Sequence, residues 1–476
     1  MTAKRTFIPE DQEAFASMSG DRNPMHVDAM AARRTQAGSC AVHGVHSLLW
    51  AFDQLTVVGV PLADLASVKV DFNRFLVLDR VVHLDIVTRG PGRLRAELRS
   101  DDARAVTLEL RFGPRKPGAA RMAPGGQAPV PDRPAEPEFD AMGSAAGWIL
   151  PPGAADDHAK ALFPHACAAL GAPRVIALGL LSSLVGMVVP GLHSILAGFE
   201  LDFSDDFAGM QGLAFAARRA DERFRLITLA VSGPGLAGTV TAFARFPPVP
   251  APSLRRATGL VRPGEFAARR ALVIGGSRGI GAATAKLLAA GGARVALTYM
   301  NARTEAEAIR EEINCDRGHE FCSIWPYDAD AESAPQLEAL PGRFTHVYYF
   351  ATSRIFSGGG RSVFDRRRFD AFFNIYVAGF QSLITHLHSL APEGILNAFY
   401  PSSIAVVDRP KDMTEYAMAK AAGEILCADL TRASRGLAIM APRLPRILTD
   451  QTATVPPVPA ADALEVMLPL LRAERA

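Results

Sequence analysis

The chain has 476 residues, with 51 Lys and Arg against 49 Asp and Glu, a formal net charge of +2, and 49% hydrophobic residues. At ~150 residues per domain this length predicts about three domains. The near-neutral balance excludes the basic bias of a nucleic-acid binder or of a protein held on an anionic membrane. The opening MTAKRTFIPEDQEAF is charged and lacks an apolar stretch, unlike a secretory signal, and no run of about 18 apolar residues marks a membrane span. Cys40, Cys167, Cys315, Cys322 and Cys427 are odd in number and lack metal-ligand spacing. They read as thiols in a reducing cytoplasm, with no metal site expected.

The first informative stretch is Ser19-Gly20-Asp21-Arg22-Asn23-Pro24-Met25-His26. Pro24 disfavours helix at Asn23, so Asp21 and His26 sit on a constrained loop and can converge. A carboxylate and an imidazole that share one water can move its protons in either direction, as addition of water to a double bond requires. Taken alone, the pair also fits two loop residues making turn hydrogen bonds.

Phe15, Ser19-Gly20-Asp21, Asn23-Pro24-Met25-His26 and Ala32, followed by His43-Gly44, resemble the signature of the R-specific enoyl-thioester hydratases, the MaoC-like hotdog family. Met18 stands where that family has an aliphatic residue. The resemblance covers roughly the first 115 residues. It implies that Asp21 and His26 bind the water, and that Asn23 and Gly44 face the substrate. A backbone N–H at the start of the helix after His43 would polarise the thioester carbonyl.

Along the chain, Ser47–Leu55 reads as helix, and 67–72, 80–89, 94–99 and 105–112 read as strands. Residues 116–140 are rich in Pro, Gly, Ala and Arg and read as a linker. Residues 141–248 repeat the order, with a helix at Val175–Val189 and strands at 194–203, 212–218, 224–232 and 239–246. No Asp-x4-His recurs there, and His165 and His193 are isolated, so this region reads as a second hotdog that pairs with the first. A second Pro-rich linker, 249–268, precedes residues 269–476, where strands and helices alternate as in a parallel sheet with crossover helices. The expected fold class is thus multidomain α+β and α/β: a tandem hotdog at 1–115 and 141–248, then a Rossmann-type doubly wound sheet.

In the last region, Gly275-Gly276-Ser277-Arg278-Gly279-Ile280-Gly281 lies between an apolar strand, Ala271–Ile274, and a helix, Ala282–Ala290. Glycines there let the backbone approach a pyrophosphate at a helix N-terminus. Farther on, Tyr416 and Lys420 are four residues apart on one helix face, where an ammonium favours phenolate. A Tyr so tuned can hand a proton to a carbonyl oxygen as hydride arrives, and Ser403, on the loop after Ile395–Tyr400, is placed to hydrogen-bond that oxygen. Only seven of the 51 cations are lysines, so a lysine at this position is not what composition supplies.

These residues resemble the short-chain dehydrogenase/reductase family from Ala271 to about Thr452. The resemblance implies Tyr416 as acid, Lys420 as ribose anchor and pKa tuner, Ser403 as carbonyl positioner and Asn374 as relay support. It also implies nucleotide contacts from Gly275, Ser277, Arg278, Gly279, Ile280, Gly281, Asp328, Ala351, Thr352, Tyr416, Lys420 and Thr449. The chain departs from the family at Ile274, Phe350-Ala351-Thr352 and Leu444-Pro445. No acidic residue follows Val295–Thr298, and Arg278 and Arg303 are available for a 2′-phosphate, so NADPH is expected over NADH.

A ketoreductase makes the 3-hydroxyacyl thioester that an R-specific hotdog interconverts with the enoyl thioester. The expected activity is a bifunctional 3-oxoacyl-thioester reductase and dehydratase/hydratase, acting on acyl-CoA or acyl carrier protein in fatty-acyl or polyketide-type synthesis. The resemblance to the reductases implies a homodimer. Two other readings stay open: a hydratase whose reductase-like domain only binds or scaffolds, and a reductase of a non-thioester carbonyl whose hotdogs bind acyl groups and dimerise.

Overall fold

The computed structural model describes residues 2–474 except 36, 102, 116–125, 207–210, 319, 339, 341, 356–363, 391–393 and 456. Residues 116–125 of the expected linker therefore lie outside the described residues. The chain forms two compact units, Met1–Pro247 with Thr454–Pro457, and Pro248–Ala453 with Val458–Ala476.

The first unit carries strands β1 (Ala3–Thr6), β2 (Leu65–Phe72), β3 (Val81–Gly90), β4 (Arg93–Ser100), β5 (Ala103–Phe112), β6 (Gln127–Pro129), β7 (Ala146–Leu150), β8 (Ser194–Phe203), β9 (Leu213–Asp221), β10 (Leu226–Gly233) and β11 (Leu236–Ala244). All eleven join one sheet in the order β1-β3-β4-β5-β2-β8-β11-β10-β9-β7-β6. The seam is the antiparallel pair β2–β8, with Val68 opposite Leu201 and Val70 opposite Phe199. Outward from it the order is β2-β5-β4-β3-β1 on one side and β8-β11-β10-β9-β7 on the other, so the second repeat copies the first.

The helices that fill the sheet are α1 (Pro9–Ser19), the single turn α2 (Pro24–Val27), α3 (Gly44–Val57) and, in the second repeat, α4 (Ala172–Ser183), which runs on as a π-helical turn over Leu184–Val188. Leu48, Leu49 and Phe52 of α3 and Leu178 and Leu181 of α4 are fully buried in one cluster. A side chain of this kind contributes roughly 1.5–3 kcal/mol when removed from water. Because both repeats draw on the same cluster, they form one body rather than two. Asp53 on α3 ties them further: its Oδ1 accepts the N–H groups of His165 and Ala166 at 2.8 and 3.0 Å.

The described part of the expected linker is not a free spacer. β6 pairs in parallel with β7, and the Ala135 N–H donates to Met187 O at 2.8 Å while Ala135 O accepts from Leu192 N at 2.9 Å. Composition cannot show this, because the contacts are made by backbone groups. Among the described residues no single helix is long and apolar enough to cross a membrane, although the pair Pro164–Leu170 and Ala172–Val188, bent by 113°, passes by length and composition.

The second unit is built on β12 (Arg270–Ile274), β13 (Arg294–Tyr299), β14 (Cys322–Pro326), β15 (His346–Tyr349), β16 (Leu396–Phe399), the two-residue β17 (Ser402–Ser403) and β18 (Leu437–Met440). Six strands form a parallel sheet in the order β14-β13-β12-β15-β16-β18, which reverses between β12 and β15. Separate apolar clusters cover its two faces, as an all-parallel sheet requires. Helix α5 (Gly279–Ala290) follows β12 and α6 (Thr414–Ala433) carries the Tyr and Lys, while α7 (Ala463–Ala473) packs against α5. Glu474, just past α7, accepts hydrogen bonds from Arg269 Nη1 at 2.6 Å and Tyr348 Oη at 2.7 Å.

Candidate active sites

The loop between α1 and α2 is fixed by its own polar groups. Gly20 ends α1 in the left-handed conformation at φ 84°, which only glycine adopts cheaply. Asn23 caps α2 by accepting the Met25 N–H at 3.1 Å, and its Nδ2 donates to Gly186 O at 2.8 Å across the repeats. Asp21 and His26 are both buried, and together with His43 each offers a ligand-type atom within 4.8 Å of the others. That spacing fits one water held between carboxylate and imidazole.

The His26 Nδ1–H donates to Ala41 O at 2.8 Å, which directs the ring and leaves Nε2 to accept a proton. Burial lowers the pKa of His26, with the Asp21 charge and the Ala41 carbonyl opposing, so the ring is neutral at neutral pH. Burial raises the pKa of Asp21, while His26, the Ser182 hydroxyl and the Asn23 N–H pull it back. Gly44 is the first residue of α3, so its N–H has no intrahelical partner. Asp21, His26, Gly44, Ser182 and Gly186 line one cavity, whose other walls are mainly apolar.

Sequence reasoning missed three residues of this site, Ser182, Gly186 and Gln12, and the contacts of a fourth, His43, which it named only as part of the signature. Ser182 Oγ donates to Asp21 Oδ2 at 2.6 Å. Gly186 lies so close that a Cβ there would stand 2.5 Å from Asp21 Oδ1. The His43 ring stacks on His26 at 3.9 Å between centroids and contacts Gln12 Oε1 at 2.9 Å and Asp21 O at 3.0 Å. Ser182 and Gly186 are more than 160 residues from Asp21, and only their place in a second helix-plus-strands repeat hinted at them. His193, read as structural, pairs with Glu136 at 3.5 Å.

In the second unit, the glycine loop fits a phosphate-bearing nucleotide. Gly275 has φ 73° and Gly279 φ 56°, and a Cβ on Gly276 would stand 2.7 Å from the Leu297 Cβ. A Cβ on Gly281 would collide with Gly275 O, so side chains are excluded where the backbone must approach a ligand. Ser277 is buried, Arg278 caps the start of α5, Ile280 is half-buried, and Thr449 lies beside Gly279. The Asp328 carboxylate accepts the Asp330 N–H at 2.9 Å in the loop after β14. Ala351 and Thr352 follow β15 on the other side of the reversal point, where the Ala351 N–H lies 2.9 Å from the position of a Gly275 Cβ. Arg303 is paired with Glu307 at 2.8 Å.

Tyr416 and Lys420 are buried on α6, and the Ser403 hydroxyl draws the Tyr416 pKa down against burial. Two expectations need correction. Lys420 does not lower the Tyr416 pKa: burial raises it, opposed by Ser403. The ammonium instead donates to Pro401 O at 2.7 Å and lies 3.8 Å from the Tyr376 ring centroid, against 6.0 Å from that of Tyr416. Burial pushes the Lys420 pKa down to about 7. Asn374 is exposed, and the side chain set against Lys420 is Tyr376, whose hydroxyl meets that of Thr352. Asn374 opens the π-helical turn Asn374–Gly379 and Tyr376 lies two residues on, so the two side chains leave opposite faces of the helix.

Residues 1–103 match the family described as MaoC like domain, and residues 274–436 match the family described as Enoyl-(Acyl carrier protein) reductase. No curated protein matches the chain. Among solved structures, the Pseudomonas aeruginosa RhlG/NADP active-site complex is 23% identical, covering 40% of this chain and 77% of that one with a TM-score of 0.35. A short chain dehydrogenase from Burkholderia cenocepacia J2315 in complex with NADP is 26% identical, covering 43% of this chain and 90% of its own, with a TM-score of 0.36. FolM alternative dihydrofolate reductase 1 from Brucella canis complexed with NADP is 20% identical, with coverages of 44% and 88% and a TM-score of 0.38. The chain therefore joins an N-terminal MaoC-like domain, of the hydro-lyase type, to a C-terminal domain of the short-chain dehydrogenase/reductase type.

Proposed function

We propose that the chain is a bifunctional acyl-thioester enzyme: an NADPH-dependent 3-oxoacyl-thioester reductase and an R-specific 3-hydroxyacyl dehydratase/enoyl hydratase, with CoA or a carrier protein bearing the acyl group. The observation that carries the hydration half is the convergence of Asp21, His26 and the Gly44 helix N-terminus on one cavity. In the hydration direction, neutral His26 takes a proton from the water that Asp21 orients, and the oxygen adds to C3 of the enoyl thioester. The Gly44 N–H stabilises negative charge on the thioester oxygen, and the proton returns to C2. Dehydration reverses these steps.

For reduction, a bound nicotinamide nucleotide supplies the hydride. The glycine loop and the start of α5 would hold its pyrophosphate, and the lack of an acid after β13 together with Arg278 favours a 2′-phosphate. Ser403 orients the substrate carbonyl, and Tyr416, whose pKa the Ser403 hydroxyl draws down, delivers the proton to its oxygen. Several of the similar solved structures are described as NADP complexes, in keeping with this choice.

The test is to mix the protein with NADPH and 3-oxobutanoyl thioester and follow the products by mass spectrometry. Hydroxybutanoyl and then crotonyl thioester are expected, with Tyr416→Phe stopping the first step and Asp21→Asn only the second. NADPH left unoxidised, with crotonyl thioester still hydrated, would reduce the chain to a hydratase.

A further inference from the structure

The cavity that holds Asp21 and His26 has one feature that hydration of a plain alkyl chain does not require. Its walls are largely apolar, with Met25, Phe72, Phe75, Leu76, Val106 and Ile195 among them, yet Arg74 is also part of the lining. Among the described residues the Arg74 Nη1 is buried without a hydrogen-bond partner, and no carboxylate pairs with the guanidinium. Asp21, the acid of the cavity, is already engaged by the Ser182 hydroxyl and the Asn23 N–H.

The guanidinium is not on a loose segment. The Asn73 and Arg74 N–H groups donate to Ala105 O at 2.8 and 3.2 Å, and Leu76 O accepts the Val42 N–H at 2.8 Å, next to the Ala41 carbonyl that holds His26. Arg74 is thus held on the cavity by β5 and by the segment leading into α3. A buried N–H donor left bare costs on the order of 1–3 kcal/mol, and more when the group is charged, so an acceptor brought into the cavity is stabilised there. The group that best satisfies a guanidinium is a carboxylate.

We infer that Arg74 binds a carboxylate carried by the acyl group itself, so that the hydration site takes enoyl thioesters of dicarboxylic acids. This rests on the hydratase reading above. The same chemistry has one other source, a phosphate of the carrier, and the test separates the two.

Wild-type protein and Arg74→Met are compared on 2-hexenoyl and 5-carboxypent-2-enoyl thioesters, each on pantetheine, which carries no phosphate, and on CoA. Binding of the saturated hexanoyl and adipoyl pantetheine thioesters is measured by calorimetry in parallel. Wild type is expected to prefer the carboxylated chain on either carrier, and Arg74→Met to erase that preference, by about 10- to 100-fold in relative kcat/KM, while hydrating 2-hexenoyl thioester normally. A preference for the plain chain in wild type, an equal loss on both chains, or a loss confined to CoA thioesters would each overturn the inference. Calorimetry distinguishes failure of the parent reading: tighter adipoyl binding that depends on Arg74, without hydration of any thioester, would leave this site standing and remove the hydratase activity.

Discussion

The two repeats of the first unit share strand order, helix placement and one apolar core, but among the described residues only the first brings an acid and an imidazole to the cavity. In the first, the loop before α2 presents Asp21 and the single turn α2 presents His26. In the second, the corresponding helix presents Ser182 and, in its π-helical turn, Gly186. Ser182 Oγ holds Asp21 Oδ2 at 2.6 Å, and Gly186 leaves the space that the carboxylate fills. The second copy is therefore a wall and a hydrogen-bond donor for the first copy's carboxylate. On the proposed reading, a repeat with no catalytic side chain of its own decides where the acid sits and how readily it ionises.

The comparison breaks most completely if the first repeat works alone. Residues 1–115 expressed without the rest would expose the β2 edge and the apolar face of α3 that α4 covers. Insoluble protein, or a self-associated form on size-exclusion chromatography, is the expected outcome; a monomer that hydrates crotonyl thioester would show that the second copy is dispensable. The next largest effect lies in the other unit. Tyr416→Phe should lower thioester reduction by about 10²–10⁴-fold and leave hydration unchanged in the same preparation, because the two chemistries use separate side chains. Equal loss of both activities would contradict that separation.

A smaller effect sharpens the comparison between repeats. Ser182→Ala removes a bond that lowers the Asp21 pKa, so the acid limb of the hydration pH–rate profile should move to higher pH, with a loss of about tenfold below that limb. An unmoved limb would make Ser182 a packing residue only. The last effect is on stability. Burial holds folded Lys420 near pKa 7 against an ordinary 10.5, so the unfolded chain binds more protons between those values. Stability should rise with pH across that window, by an amount of order a few kcal/mol, and Lys420→Met should flatten the rise in denaturant titrations. A slope unchanged by the substitution would place the ammonium in water.

What could be read from the sequence follows how local each feature is. The convergence of Asp21 and His26 was legible because Pro24 constrains the backbone between them, and the Tyr416–Lys420 face because helical spacing alone sets it. The parallel sheet of the second unit was legible because buried strands alternate with helices. Helix α1 was not, since its Pro9 start and weak amphipathic pattern give little signal, and nor was β1. Asn374 was singled out by the family resemblance, whereas Tyr376, two residues on and on the opposite face, is the one set against Lys420. Ser182, Gly186, Gln12 and His43 owe their roles to contacts between segments far apart in the chain or to packing around one buried loop. No pattern in either segment alone records them.

The central claim is that Asp21 works only in the space left by Gly186 of the other repeat. The direct measurement is the rate of crotonyl-pantetheine hydration by Gly186→Ala beside Asp21→Asn, with circular dichroism melting of each. The account predicts that both lose hydration, Asp21→Asn by about 10²–10⁴-fold and Gly186→Ala by at least about tenfold, while both melt like wild type. Gly186→Ala hydrating at the wild-type rate would contradict it.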